Sequence, residues 1–416
     1  MKILFKNISS LVTIKANGKK KLSGSEMGEI SEIRDAALLF DEKILWLGKT
    51  TEIADIIGSE KPEKIIDLKN KTVIPGFVDS HTHIVFAGNR SNEFARRLRG
   101  ATYEEIAKEG GGILTTVRAT REATIEELVR NAELIAKNAI AHGTTTMEIK
   151  SGYGLSIDAE IKQLRAIKKL AENLPLRIVP TFLGAHDFPP EYKDKKDEYV
   201  DLICNEMIPR VAEEKLAVYV DAFVDKGYYT LEQAEKIFNT ALNYGFKIRV
   251  HADELANVEA ASLAAKFNAI SADHLLFVSE NGIEKLKKSG TIATLLPGTA
   301  YFIRMPYAPA RKMIDNGLAV ALATDCNPGS SFTENMQMIL SLAVINMKMT
   351  AEEALTAATL NGAASLEMSE ICGSIEVGKM ADFSVLNINS YTDLFYHFGI
   401  NHVAEVWIEG KKVHSI

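Results

Sequence analysis

Eight short apolar runs, most of them separated by stretches of helical character, occupy the middle of this 416-residue chain. They predict strands at 73–79, 143–149, 177–183, 218–224, 246–251, 269–273, 291–296 and 318–324. Thr124 and Thr230 each open a capping box, and apolar residues recur every three or four positions from Ser156 to Leu174, so helices are indicated between strands. Strand and helix repeated eight times predict an α/β fold, the (β/α)8 TIM barrel, whose functional residues lie at the carboxyl ends of its strands.

The two ends of the chain have a different character, because both are rich in short strands joined by turns. Residues 1–70 contain several such runs, and residues 373–416 contain another, followed by a hairpin-like segment at 406–413. Neither end is large enough to bury a sheet face alone, so we expect both to combine into one small composite β-sandwich domain. Residues 71–372 then form the barrel.

Charge and cysteine content restrict the partners. The net charge is −7 without a basic cluster, which argues against nucleic acid and against a membrane surface. No apolar run reaches the ~18 residues of a membrane span. With nucleic acid and membrane disfavoured, we expect a small-molecule substrate. Three widely spaced cysteines do not suggest a disulfide framework, so we expect a cytoplasmic protein. A homodimer is the base-rate expectation.

Polar residues that suit a metal ion recur at the predicted strand ends. They are His81 and His83 after the first strand, His186 after the third, His251 at the fifth, His274 at the sixth and Asp325 at the eighth. Each alone could be a structural histidine or a helix-capping aspartate, but the set predicts one metal site. Imidazoles with one carboxylate favour zinc or iron over calcium or magnesium. Such an ion lowers the pKa of a bound water to roughly 7, which makes hydroxide available.

Three other features have competing interpretations. Glu254, three residues beyond His251, is placed for a proton shuttle, although it could simply open a helix. The glycines at 110–112 predict a flexible lid rather than a phosphate loop, because no strand precedes them. Cys326 could be a thiolate ligand, but it follows Asp325 on an extended segment and would face away, so buried packing is favoured.

The metal-site pattern resembles that of the amidohydrolase superfamily, with its first-strand His-x-His, its fifth- and sixth-strand histidines and its eighth-strand aspartate. The resemblance covers nearly the whole chain, including the ending at 373–382. It implies His81, His83, His251 and Asp325 as ligands. Two-metal members carry a fourth-strand lysine, for which Lys226 is a poor candidate, so one zinc or iron ion is favoured.

Further motifs are similar to those of one branch of that superfamily. They lie at 79–90, 109–113, 148–154, 183–186, 251–254 and 325–331. The resemblance implies hydrolytic opening of the ring of 4-imidazolone-5-propanoate to N-formimidoyl-L-glutamate, with Glu254 as proton shuttle and His274 helping the metal to stabilise the oxyanion. The implied substrate contacts are Arg90 on the carboxylate tail, Tyr153, His186, Glu254, Asn327, Gly329 and Ser330. A nucleobase deaminase of the same superfamily and a non-catalytic barrel scaffold are the alternatives.

Overall fold

The computed structural model describes residues 1–100 and 111–416, which form two sheets with surrounding helices. The strands are β1 (Ile3–Val12), β2 (Glu32–Phe40), β3 (Ile44–Lys49), β4 (Lys64–Asp67), β5 (Thr72–Pro75), β6 (Phe77–Asp79), β7 (Thr144–Lys150), β8 (Arg177–Ala185), β9 (Tyr219–Val224), β10 (Lys247–Ala252), β11 (Ser271–His274), β12 (Ile292–Leu295), β13 (Val320–Leu322), β14 (Phe383–Leu386), β15 (Val403–Ile408) and β16 (Lys411–Ser415). Gly110, the first residue of the predicted lid, lies outside the described residues.

The α-helices of this part of the chain flank the barrel and its loops. They span Ile53–Glu60, Ser91–Leu98, Ile113–Glu122, Ile125–Ala141, Ile157–Asn173, Lys196–Leu202, Ile208–Glu213, Leu231–Asn243, Ala260–Lys266, Glu280–Ser289, Pro297–Ile303, Ala310–Asp315, Met336–Met347, Ala351–Ala358, Leu360–Ala364 and Asp393–Tyr396. The capping boxes at Thr124 and Thr230 open helices as predicted. Within the described ranges, no helix combines the length and apolar character needed to cross a bilayer.

The central sheet confirms the predicted (β/α)8 barrel. Strands β6 to β13 pair in chain order, each parallel to the next. The first and last strands meet just beyond their ends, where Asp325 N donates to His81 O at 3.0 Å and His83 N donates to Cys326 O at 2.9 Å. Cys326 is buried, as predicted. The seam that closes the barrel therefore passes through the predicted metal ligands.

The second sheet is built from both ends of the chain, as predicted. Its order is β16-β15-β14-β5-β1-β2-β3, with β4 also paired to β1. All strands of this terminal domain belong to one hydrogen-bonded sheet, whereas a sandwich has two. The core of the domain brings together the rings of Phe5, Phe40, Phe383 and Trp407. Their centroids lie 5.0–6.0 Å apart.

The predicted first barrel strand at 73–79 is wrong as a single element, because Gly76 divides it. Thr72–Pro75 pairs with β1 and β14 in the terminal sheet, whereas Phe77–Asp79 pairs with β7 in the barrel. A Cβ atom at Gly76 would lie 2.2 Å from Cγ2 of Thr145. Glycine is therefore required where the chain passes from one sheet to the other.

Candidate metal centre and substrate cavity

His81 and His83 lie directly after β6 with their ring nitrogens facing each other. Their Nε2 atoms are 3.2 Å apart, and Asp325 Oδ1 lies 3.6 Å from the first and 3.4 Å from the second. Ligand atoms about 2.1 Å from a tetrahedral ion are about 3.4 Å from one another. The spacing of these three side chains therefore fits a first-row transition metal.

His251 and His274 lie on the same site from β10 and β11. One ring nitrogen each of His81, His251 and His274 falls within 4.8 Å of the others. In residues 1–100 and 111–416, Nε2 of His251 and both ring nitrogens of His274 have no hydrogen-bond partner although they are buried. Buried imidazole nitrogens without partners are costly unless a cation occupies the space between them, so the donor set fits a metal ion.

Burial determines the protonation of these groups. It lowers the pKa of His81, His83 and His274 well below the usual range, which leaves neutral imidazoles that can bind a metal. Burial also raises the pKa of Asp325 to about 6.

Asp325 and His274 have φ angles of 51° and 75°, a left-handed backbone conformation that residues other than glycine rarely adopt. Such backbone strain persists where the surrounding structure enforces it, typically at functional sites.

A carboxylate behind His81 fixes the orientation of its ring. Asp273 Oδ2 lies 2.7 Å from Nδ1 of His81, so the other nitrogen, Nε2, faces Asp325. Arg249 donates to the same Asp273 oxygen at 3.1 Å and to the Ser80 carbonyl oxygen at 2.8 Å. Carboxylates of this kind set the tautomer of a metal-binding histidine.

A second buried carboxylate supports His251, and a lysine balances its charge. Asp221 Oδ2 is 3.0 Å from Nδ1 of His251 and 3.0 Å from Nζ of Lys150, which also lies 2.8 Å from Glu148 Oε1. None of these supporting residues was predicted from the sequence. The available signal was a charged residue two positions away from another polar residue in an apolar strand, as in Glu148 and Lys150 on β7. Lys226 is exposed, whereas these groups are buried.

A cavity of about 370 Å³ opens beside these groups. Its lining includes every predicted substrate residue and most of the predicted metal site: His83, Arg90, Tyr153, His186, His251, Glu254, His274, Asp325, Asn327, Gly329 and Ser330. The remaining lining residues are Glu93, Arg97, Ile113, Phe223, Tyr228, Leu255 and Ile303. This volume suits a small organic molecule.

The side chain of Arg90 lies between the carboxylate of Glu93 and the backbone of Gly329. Its Nε donates to Glu93 Oε2 at 2.9 Å. The other oxygen of Glu93 accepts from Gly112 N at 3.1 Å and from Thr115 Oγ1 at 3.0 Å. A Cβ atom at Gly329 would lie only 2.3 Å from Nη1 of Arg90, so the guanidinium passes directly over that glycine.

Tyr153 and His186 form an adjoining wall of the cavity. The backbone N–H of Tyr153 donates to Gln163 Oε1 at 3.0 Å, and the flanking N–H groups of 152 and 154 donate to Glu160. The His186 ring stacks on His83 with centroids 5.2 Å apart. Burial lowers the pKa of His186 to about 3, so its ring is neutral.

Asn327 shapes the loop after β13. Its Oδ1 accepts from the N–H groups of Gly329 and Ser330, both at 2.8 Å, and its Nδ2 donates to the Asp325 carbonyl oxygen at 2.7 Å. These bonds hold the loop in one conformation against the cavity.

Glu254 borders the cavity next to the histidine cluster. Its Oε2 lies 3.5 Å from Nε2 of His274. Burial raises the pKa of this carboxyl group well above its usual range, and the nearby carboxylates of Asp325 and Asp225 add to the shift. A carboxyl group with a raised pKa can both accept and return a proton near neutral pH.

The fold and the site together define a metal-dependent hydrolase. Residues 72–413 match the Amidohydrolase family, and the chain belongs to that family. It is 49% identical to an imidazolonepropionase of Thermoanaerobacter pseudethanolicus over 97% of this chain and 96% of the relative. It is 44% identical to an imidazolonepropionase of Flavobacterium psychrophilum over 99% of this chain and all of the relative.

A solved structure confirms the fold. An adenosine deaminase from Xanthomonas campestris with bound zinc is superposable with a TM-score of 0.71 at 18% identity, covering 99% of this chain and 92% of that chain. The family match and the 44–49% identical relatives confirm the predicted enzyme class: the chain is a hydrolase that uses a metal ion and acts on a small molecule.

Proposed function

We propose that the chain opens the ring of 4-imidazolone-5-propanoate with water and releases N-formimidoyl-L-glutamate. The observation that carries this proposal is a single cavity lined by the histidine cluster, Glu254 and the arginine at position 90. Identity of 43–49% over nearly the full length to relatives named imidazolonepropionase supports the same substrate.

We propose one zinc or iron ion, held by His81, His83, His251 and Asp325. His274 lies beside His81 and His251, and among the described residues its ring nitrogens have no hydrogen-bond partner. A divalent ion held there would supply Lewis acidity, which makes water more acidic and polarises a carbonyl oxygen. The zinc of the similar adenosine deaminase supports zinc as the first candidate.

The substrate would be oriented from its propanoate end. Arg90 is the proposed partner of the carboxylate, because a guanidinium offers two parallel N–H donors to two oxygens and Glu93 occupies only its Nε. Tyr153 offers a hydroxyl group and a ring face, and the neutral His186 lies beside it. The loop at 327–330 would close the same side of the cavity.

Glu254 and His274 would carry the proton and the charge. Glu254 accepts a proton from the attacking water and delivers it to the ring nitrogen that leaves, so the carboxyl group ends as it began. His274 donates a hydrogen bond to the former carbonyl oxygen while negative charge develops on it. Both side chains line the cavity, with 3.5 Å between Glu254 Oε2 and His274 Nε2.

The decisive experiment incubates purified protein with 4-imidazolone-5-propanoate and identifies the product by mass spectrometry, with metal analysis of the same sample. We expect N-formimidoyl-L-glutamate and about one zinc or iron per chain. Release of ammonia from guanine or cytosine, with the imidazolone left intact, would instead support the deaminase alternative. No turnover and no bound metal would support a scaffold.

We also propose that the protein is a cytoplasmic homodimer. The three cysteines are buried and free, which suits a reducing compartment. Sedimentation velocity tests the oligomeric state, and a monomer at micromolar concentration would contradict the dimer.

A further inference from the structure

We propose that Asp225 is a positioning residue that holds the backbone of Glu254 in the orientation needed for proton transfer. The inference rests on the proposed role of Glu254. Asp225 directly follows β9, the strand next to β10 in the barrel. Its Oδ2 accepts from Glu254 N at 2.7 Å and from Leu255 N at 2.8 Å, and its Oδ1 accepts from Ala256 N at 3.1 Å.

Among the described residues, the N–H groups at 254–256 donate to Asp225 alone. Strand β10 ends at Ala252, and Asp253 then turns the chain with a φ of 51°. Residues 253–259 belong to neither a strand nor a helix, so the N–H groups at 254–256 point away from any regular ladder. The N–H of Glu254 is buried and those of Leu255 and Ala256 are partly buried, and such groups need an acceptor. The Asp225 carboxylate, only 3% exposed, supplies it from the neighbouring strand end.

The bond to the N–H of Glu254 itself connects this support to the chemistry. A shift of that peptide moves the Cα atom and therefore the carboxyl group, and a misplacement of about 1 Å in a catalytic group can cost about 10²-fold in rate. Both Asp225 oxygens act only as acceptors towards N–H groups. An asparagine offers one acceptor oxygen and turns an NH₂ group towards the remaining N–H donors. Asp225→Asn therefore disturbs the segment at 254–256 while the volume of the side chain at position 225 stays nearly the same.

Asp253 provides a matched control in the same segment. Its carboxylate is also buried and accepts three backbone N–H bonds, at 2.9 Å from Val258 and 3.1 Å from both Ala260 and Ala261. Asp225 accepts a fourth such bond, from Lys226 N to Oδ1 at 2.6 Å. Those bonds hold the start of the helix Ala260–Lys266 rather than the peptide of Glu254. Asp253→Asn thus removes a similar structural support from a neighbouring position.

The experiment compares kcat, KM and bound metal in four holoenzyme variants: Asp225→Asn, Asp253→Asn, Glu254→Gln and the double variant Asp225→Asn with Glu254→Gln. For Asp225→Asn we expect kcat to fall about 10²-fold with KM within about threefold and metal content unchanged. Asp253→Asn should lose thermal stability but keep kcat within about threefold. The double variant should be no slower than Glu254→Gln alone, because Asp225 acts through that side chain.

Three kinetic results would overturn the inference: an unchanged kcat in Asp225→Asn, an equal loss in Asp253→Asn, or a double variant slowed by the product of both effects. If Asp225→Asn does not fold, Asp225→Glu is measured with the same expectations, since it keeps both oxygens but displaces them by one methylene. A crystal structure of the Asp225 variant gives a readout without activity. It should show the Glu254 carboxyl group displaced and His251 in place, and an unmoved Glu254 would also refute the inference. Failure of the wild-type protein to hydrolyse the imidazolone would refute the proposed function alone.

Discussion

The substitution Gly329→Ala, which adds one methyl group, tests whether Arg90 binds the carboxylate of the substrate. In Gly329→Ala, the new Cβ atom would lie 2.3 Å from Nη1 and 3.1 Å from Cζ of Arg90. Ordinary non-bonded contact begins near 3.5 Å, so the guanidinium must retreat by about 1 Å. Its Nε is tied to Glu93 at 2.9 Å, which restricts the direction of retreat. The φ angle of Gly329 lies outside the left-handed region, so alanine does not strain the backbone.

The size of the effect follows from the bond that is lost. A hydrogen bond to a charged group contributes about 1.5–3 kcal/mol, which corresponds to roughly 10- to 150-fold in binding. We therefore expect Gly329→Ala to raise KM for the imidazolone about 10- to 100-fold, with kcat within a few-fold and an unchanged melting temperature. Steady-state kinetics and thermal unfolding measure the two quantities.

A second variant makes the reasoning refutable. Arg90→Ala removes the guanidinium, so the nearest remaining neighbour of the methyl group at 329 is Asn327 Oδ1 at 3.4 Å, an ordinary van der Waals distance. Adding Gly329→Ala to Arg90→Ala should leave KM as it is in Arg90→Ala alone. An equal rise of KM with and without Arg90 would mean that the methyl group acts on the loop itself. A normal KM in Arg90→Ala would exclude Arg90 as the carboxylate partner.

Three further predictions follow from the site. Glu254→Gln should retain its metal and lose about 10²–10⁴-fold in turnover, since it cannot transfer a proton; unchanged turnover in single-turnover kinetics would remove Glu254 from the mechanism. Lys150→Met leaves the buried carboxylates of Glu148 and Asp221 without their cation, so urea unfolding should show a loss of about 3–5 kcal/mol. The control Lys169→Met, from an exposed pair with Glu126, should lose less than about 1 kcal/mol, and equal losses would contradict the prediction. In metal-free protein the pKa of Asp325 is about 6, so protons compete with the ion below that pH, and zinc affinity measured by calorimetry should fall as pH drops from about 7 to about 5. A flat profile would exclude Asp325 as a ligand.

The barrel was predictable because its strands have a local signature. Each is a short apolar run bounded by turns, and β7, β9 and β10 begin and end within one residue of the predicted limits. The site followed from the same signature, since the carboxyl ends of parallel strands converge whatever the loops do. Local pattern could not show that Gly76 separates two sheets. The apolar run is continuous there, and the partner that captures Pro75 is Phe383, some 300 residues further along the chain.

The charged residues beneath the histidines were not predictable for a different reason. A charged side chain in a strand usually faces solvent, and the local sign against this, a second polar residue two positions away, is too weak to assign a buried role to Lys150 or Arg249. Both are fully buried; Lys150 is balanced by Asp221 on β9, and Arg249 by Asp273 on β11. Asp225, which directly follows β9, was not predictable either. Its role depends on the backbone of another loop, which has no sequence signature.

The seam between the first and last barrel strands has a consequence for how the enzyme matures. His81 and Asp325 are joined through their backbones as well as by their proposed ligand atoms, yet 243 residues of chain lie between them. A nascent chain therefore cannot assemble the full ligand set until the eighth strand has left the ribosome and docked beside the first. Since a preformed site rarely exists before folding, high-affinity metal binding should coincide with closure of the barrel. Metal binding would then mark the last step of folding. Stopped-flow measurement of zinc binding during refolding would record when that step occurs.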